Sequence, residues 1–379
     1  MTVTGRQGKD IKNSIKNIFT DINIKPGKRV CIKPNWCGRY PVVPGENTSP
    51  EVLSALVEYL LEQGCKVSLI HGALLGSGSD QVPFEKTIEW AGIEDGIFDS
   101  LNIVNLDTLY SEEVSCNGFK FHLPLEYFTN EVETYINLAK IKSHMETTVS
   151  FSLKNLMGLA SKGDRVNMHR TNLEENIAKL ALIMQPDLSI LEGYPAMQGN
   201  GPHHGDSIKL NMILAGDNMV ELDSFACHLL GYNPEDVPHL CYARDLGAGY
   251  LINEKDITKY SGLSVSDFKP AEKVYKFGFK VYAYPTKSCS RCINAVWQAG
   301  KSFKSHPIKY RRFMWKAFFS RNNIRIVFGK DDQIELDERD KMIFIGKCTK
   351  NLAQKYDKEF LEACPPKTNE VIDYIISII

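Results

Sequence analysis

No run of eighteen apolar residues occurs in the 379-residue chain, so it contains no stretch of the length and hydrophobicity that a membrane-crossing helix requires. Its first ten residues, MTVTGRQGKD, also lack the apolar core of a secretory leader. A cytoplasmic setting is the expectation, and with it reduced thiols. Net charge is nearly absent: 45 Lys and Arg against 46 Asp and Glu leave a formal charge of -1. No global field therefore draws nucleic acid or an anionic membrane to the chain. Common catalytic signatures are missing too. The glycine-rich turn GALLGSGSD has neither G-x-G-x-x-G nor a Walker lysine, and no nucleophile elbow, H-E-x-x-H or Ser-His-Asp spacing appears.

What is present is a globular composition, 43% hydrophobic and 24% charged, in a chain long enough for two domains. Ile11, Ile15, Ile18 and Phe19 share one helical face, RVCIKP reads as a strand, and Asn47-Thr48-Ser49-Pro50 caps a helix over VLSALVEYLLEQG. With KVSLIHG as the next strand, this is a βαβ unit. Residues 132–142 and 187–193 read as buried strands, with a helix near VSFSLKNLMGLA and a longer one over TNLEENIAKLALIMQ between them. A strand in KLNMILAGDN and a helix in MVELDSFACHLLG follow. This alternation predicts an α/β fold, a mainly parallel sheet flanked by helices. Composition shifts around DFKPAEKVYKFGFKVYAYP, which places one α/β domain over 1–270 and a smaller, Cys-bearing α/β piece over 271–379.

The smaller piece carries a thiol constellation. Cys289 and Cys292 form C-x-x-C, Cys348 follows the apolar strand IFIG, and Cys364 precedes two prolines. Four thiolates suit a [4Fe-4S] cluster, in which a terminal Cys-Pro turns the chain away from the metal. Structural zinc also takes four thiolates and is the alternative. Zinc ribbons usually pair two C-x-x-C knuckles, however, and here the second pair is split by fifteen residues. Cys31, Cys65, Cys116, Cys227 and Cys241 read as core residues, and Cys37 lies in a loop. The stretch KSHPIKYRRFMWKAFFSR is basic and aromatic, a composition suited to RNA, acidic lipid or an acidic partner, although a solvated helix face is the plainer reading.

The larger piece concentrates polar groups at strand ends. Lys142 and His144, two residues apart, leave one side of a strand, while Lys154 and Asn155 sit among apolar residues, where a charge is costly without a partner or a cleft. Lys33 and Asn35 leave the first strand where α/β crevices form. In YPAMQGNGPHHGD, Gly199 and Gly201 offer backbone amides to an anion, and His203 and His204 read as solvated loop residues. Glu192 ends a strand and Asp223 falls inside a helical pattern, each able to act or merely to brace. Lys33, Lys142, Lys154 and Arg165 facing Glu192 and Asp223 suit an anionic small molecule, with His144 or His169 to move a proton. The catalytic candidates are therefore Lys142, His144, Lys154, His169 and Asp223; the binding candidates are Lys33, Asn35, Asn155, Glu192, Gly199 and Gly201.

The order IKPNW, N-T-S-P, a glycine-rich turn, KIKSH, VSFSLKNLMGL, His169, ILEG, GNGP and ILAGDN-x6-FACHLLG resembles the domain of unknown function 362 family across residues 28–250. The resemblance implies recurring polar positions at Lys33, Asn35, Lys142, His144, Lys154, Asn155, His169 and Asp223, and iron-sulfur-binding segments of ferredoxin type in many members. This chain departs from that type in having no compact C-x2-C-x2-C-x3-C-P run. The expectation is an iron-sulfur oxidoreductase or electron-transfer protein that binds an anionic small molecule and meets a redox partner protein, with no nucleic acid and no integral membrane segment. A non-redox binding or maturation factor with structural zinc, or a Mg-dependent hydrolase or ligase, are the alternatives.

Overall fold

The computed structural model describes residues 3–37, 43–72, 84, 100–253, 255, 262–271, 275–278, 280–286, 288, 290–329 and 334–379. The glycine-rich turn at 73–80 and Cys289 lie outside the described residues. The chain divides into two compact units, Met1–Ala271 and Glu272–Ile379.

Unit 1 contains strands β1 (Val3–Gln7), β2 (Arg29–Pro34), β3 (Lys66–His71), β4 (Leu101–Asn105), β5 (Glu112–Cys116), β6 (Phe119–Leu123), β7 (Thr134–His144), β8 (Thr148–Ser150), β9 (Leu188–Asn200), β10 (His204–Ile208) and β11 (Met212–Gly216). Its helices among the described residues include α1 (Ile11–Ile22), α2 (Pro50–Glu62), α3 (Leu125–Glu131), α4 (Ser152–Asn155), α5 (Lys162–Arg170), α6 (Leu173–Ile183), α7 (Met219–Leu229) and α8 (Pro238–Asp245). The main sheet runs β1-β11-β9-β7-β2-β3-β4, with β8 paired to β7 and β10 to β9. Strands β4, β3, β2, β7 and β9 are parallel, so their carboxyl ends share one edge; β11 pairs antiparallel to β9, and β1 antiparallel to β11.

Alternation along the strands divides the core between two faces. Val30 and Ile32 of β2 pack with Ile15 and Phe19 of α1 and Leu53 and Leu56 of α2, while Cys31 joins the opposite cluster with Leu180 of α6 and Phe225 of α7. Each fully buried Leu, Ile or Phe contributes roughly 1.5–3 kcal/mol. The segment VSFSLKNLMGLA differs from its predicted single helix. Thr148–Ser150 pairs with β7, only Ser152–Asn155 is α-helical, and Leu156–Leu159 tightens into a 3-10 turn. The pairing of β8 with His144 and Lys142 satisfies backbone groups that a helix would have bonded internally.

Unit 2 is a second, smaller α/β layer. Strands β12 (Tyr275–Gly278), β13 (Val281–Thr286), β14 (Ile324–Gly329), β15 (Lys341–Ile345) and β16 (Phe360–Leu361) lie in that order, with β13 to β16 parallel and β12 antiparallel to β13. Its helices are α9 (Ser290–Ser305), α10 (Arg311–Phe319), α11 (Lys350–Lys355) and α12 (Thr368–Ile378). Among the described residues no helix is long and apolar enough to cross a membrane.

Candidate functional site

The two central parallel strands of unit 1 deliver cations to one sheet edge. Every residue of β7 is buried, and Lys140, Lys142 and His144 alternate along its carboxyl end. Lys142 Nζ donates to Asn35 Oδ1 at 2.7 Å, Glu46 O at 2.9 Å and Cys37 Sγ at 2.9 Å. From Asn35 a run of amides continues: Asn35 Nδ2 donates to Asn155 Oδ1 at 2.8 Å, Asn155 Nδ2 to Asn137 Oδ1 at 2.7 Å, and Asn137 Nδ2 to the Ser152 carbonyl at 2.9 Å. Strands β2 and β7 and helix α4 are thus tied together beneath the site.

Lys33 reaches the same edge from β2, buried and donating to Pro34 O at 2.8 Å. Burial, together with the positive charge of Arg165, lowers its ammonium to about 7. Its path crosses Gly158, where a Cβ would stand 2.7 Å from both Lys33 Cε and Nζ; the glycine of S-L-K-N-L-M-G makes room for the charge. Lys154, half-buried on α4, makes no hydrogen bond or ion pair among the described residues. Burial also lowers its ammonium, with Glu146 opposing that shift.

His144 Nδ1 accepts the backbone N–H groups of Glu146 at 3.1 Å and Thr147 at 3.2 Å, which leaves the ring proton on Nε2. Burial, reinforced by Lys154 and Lys142, holds the ring neutral, well below its ordinary range. It is suited to donate a hydrogen bond rather than to carry a proton. His169 Nδ1 lies 3.4 Å from Glu146 Oε1, and His203 pairs closely with the buried Glu46 carboxylate. His203 is therefore not the solvated loop residue expected; the β9–β10 hairpin presents it to Glu46.

Three further expectations are corrected by the hydrogen bonding. Glu192 does not face the Lys33 and Lys142 ammonium groups. It pairs with Lys140 at 2.6 Å, both side chains fully buried, and accepts the Ser49 N–H at 2.8 Å and the Tyr194 N–H at 2.9 Å. Its work is to hold the amino end of α2 against the sheet. Asp223 likewise accepts the amides of Ser152 at 3.0 Å and Leu153 at 2.9 Å, and the Ser152 hydroxyl, capping α4. Burial raises its carboxyl to about 6. Gly199 and Gly201 offer no amides to an anion: Gly199 N–H donates to Lys269 O at 2.8 Å and Gly201 N–H to Gly199 O at 2.9 Å. Gly201 is needed for contact, since a Cβ there would meet the Ser143 carbonyl oxygen at 2.2 Å.

The gathered set is therefore Lys33, Asn35, Lys142, His144, Lys154, Asn155 and His169, joined by Cys37, Glu46, Glu146 and His203, which were not singled out beforehand as site residues. Among the described residues no three of His, Cys, Asp and Glu gather closely enough to hold a metal ion. In this unit the arrangement can hold an anion, beside a neutral imidazole donor and a thiol.

In unit 2 the cysteines follow strand ends. Because β13, β15 and β16 are parallel to a common neighbour or to each other, the segments bearing Cys292, Cys348 and Cys364 all leave one sheet edge. Cys292 lies in the first turn of α9, and Cys348 and Cys364 stand three residues beyond β15 and β16. Gly346 has φ +93°, and the point where its Cβ would stand is 3.5 Å from Cys348 Sγ, 3.8 Å from Cys292 Sγ and 3.6 Å from the carbonyl oxygen of Ala363, next to Cys364. Two of the thiols stand within 4 Å of that point but, among the described residues, Cys364 does not join them in a three-donor group, so a thiolate-held centre, iron-sulfur or zinc, would have to draw the Cys364 turn in as it bound.

These features define an α/β protein with a cationic polar site at the carboxyl edge of its main parallel sheet. The chain belongs to the family described as domain of unknown function DUF362, which matches residues 30–228. It is similar to the thylakoid-associated protein sll1697 of Synechocystis sp., 28% identical over 233 residues that cover 59% of this chain and 70% of that protein. The solved lactate racemase apoprotein from Thermoanaerobacterium thermosaccharolyticum aligns with a TM-score of 0.38 at 10% identity, covering 99% of this chain and 90% of that one.

Proposed function

We propose that the protein is an iron-sulfur protein of oxidoreductase or electron-transfer type that binds an anionic small molecule in unit 1. The observation that carries the redox part is the approach of Cys292 and Cys348 to a single point over Gly346, with the Cys364 segment leaving the same sheet edge. Cys292, Cys348 and Cys364, with Cys289 of the C-x-x-C pair, would hold a [4Fe-4S] cluster, which when bound supplies one-electron transfer to a partner protein.

The residues of unit 1 support the ligand class. Lys33, Lys142 and Lys154 bring ammonium groups to one edge, and the Lys140–Glu192 pair neutralises itself apart from them. An anion meeting Lys33 and Lys154 relieves the cost of burying those charges. His144 Nε2–H polarises an oxygen of the ligand, and Asn35 and Asn155 hold Lys142 and α4 in register.

Anaerobically prepared protein should contain iron and acid-labile sulfide in equal amounts near four per chain, lost together on Cys292→Ser or Cys348→Ser substitution. Stoichiometric zinc in a colourless protein sinks the redox reading and leaves the anion site standing.

A further inference from the structure

Helix α10 and the turn before it present an unusual surface. Tyr310, Phe313 and Ala317 point inward and are buried, anchoring the helix to unit 2. On the outward side Trp315 is 65% exposed, Phe318 51% and Phe319 65%, with Ile308 at 79% in the preceding turn. Large apolar groups rarely stand so open together without a partner. The rings form a ridge: Trp315 and Phe319 stack at 5.2 Å between centroids, and Phe318 meets Phe319 edge-on at 5.0 Å. Along the segment that carries the ridge the charge has one sign. Residues 304–321 hold six Lys and Arg and no Asp or Glu, with Arg311, Arg312 and Lys316 exposed on the helix itself.

We propose that α10 docks the protein peripherally on an anionic lipid bilayer. The aromatic ridge enters the boundary between headgroups and acyl chains, while the flanking cations meet lipid phosphates. Charge complementarity and ring geometry select this occupant. A single-stranded nucleic acid is better served by separated rings with both faces open to bases, and here Trp315 and Phe319 each spend one face on the other. The ridge stands out from the fold on a helix fixed by Phe313 and Ala317, a shape that inserts into a soft interface. The chain as a whole carries a charge of only -1, so no net field adds to or opposes the local attraction of this patch to lipid.

The test is sedimentation of the full chain with vesicles of phosphatidylcholine alone or with about 30% phosphatidylglycerol. The wild type should pellet with the anionic vesicles and be released by about 0.5 M salt. Partitioning should fall about tenfold or more in Trp315→Ala/Phe318→Ser/Phe319→Ser and in Arg311→Gln/Arg312→Gln/Lys316→Gln, each checked for native circular dichroism. As a second readout, brominated lipid should quench the wild type more than Trp315→Phe. Absence of pelleting, equal pelleting of wild type and variants, or binding to RNA or an acidic protein in place of vesicles would overturn the proposal.

Discussion

At the scale of single residues, two lysines of unit 1 are buried for opposite reasons. Lys140 is matched by Glu192 within a closed set of partners. Replacing it by Met strands a buried carboxylate, and urea unfolding should show a loss of about 3–5 kcal/mol. Among the described residues Lys33 pairs with no carboxylate, and its ammonium falls from the usual 10.5 to about 7. Between those values the unfolded chain binds more protons than the folded one, so this group makes stability rise with pH across that window and fall again as pH drops through about 7. Ligand binding runs the other way. Sulfate, whose charge is constant there, should bind unit 1 more weakly as pH rises through about 7, a dependence that calorimetry should find flattened in Lys33→Met. The K-I-K-S-H spacing made Lys142 and His144 legible as candidates for one site, since alternate strand positions share a side. Lys140 falls on the same side, but the length of a lysine side chain does not reveal whether its end meets a ligand or a partner such as Glu192, more than fifty residues away.

At the scale of elements, one turn of helix carries Lys154 and Asn155 to the site, and Asp223 of α7 holds that turn. Asp223→Ala leaves two buried amides without acceptors. A stability loss of about 1–3 kcal/mol in chemical denaturation is expected, together with weaker sulfate binding, whereas Asp223→Asn keeps one acceptor and should fall between. The β9–β10 hairpin meets β7 through Gly201, where Ala would collide with backbone that has no side chain to swing aside. Gly201→Ala should therefore cost about 1–3 kcal/mol by the same measurement. Strands and long helices could be read from their apolar periods, because burial on a sheet face imposes those periods on sequence. Strand β1 and the short strand β8 could not. β1 is one partly exposed edge strand, and β8 is a three-residue strand that pairs with β7 where β7 runs on past the end of β2. Glycine roles were equally opaque: Gly158 and Gly201 are fixed by atoms distant in sequence, not by a local turn.

At the scale of the whole molecule, each unit builds its own mainly parallel sheet and sets its candidate site residues at that sheet's carboxyl edge. The candidate thiols were visible as residue types, but their approach rests on the strand order β13-β14-β15-β16, which the spacing in sequence does not encode. The division at Ala271 and Glu272 has a thermodynamic corollary. A bound inorganic centre would staple turns that follow three separate strands, so its binding energy would be folding energy for unit 2 alone. Calorimetry should then resolve two melting events, of which only one moves to lower temperature with an iron chelator, while a single chelator-insensitive transition would contradict that coupling. Protein robbed of its inorganic centre would on this account become a half-melted chain with its first sheet still intact, and proteolysis should trim it back to a stable core ending near residue 271.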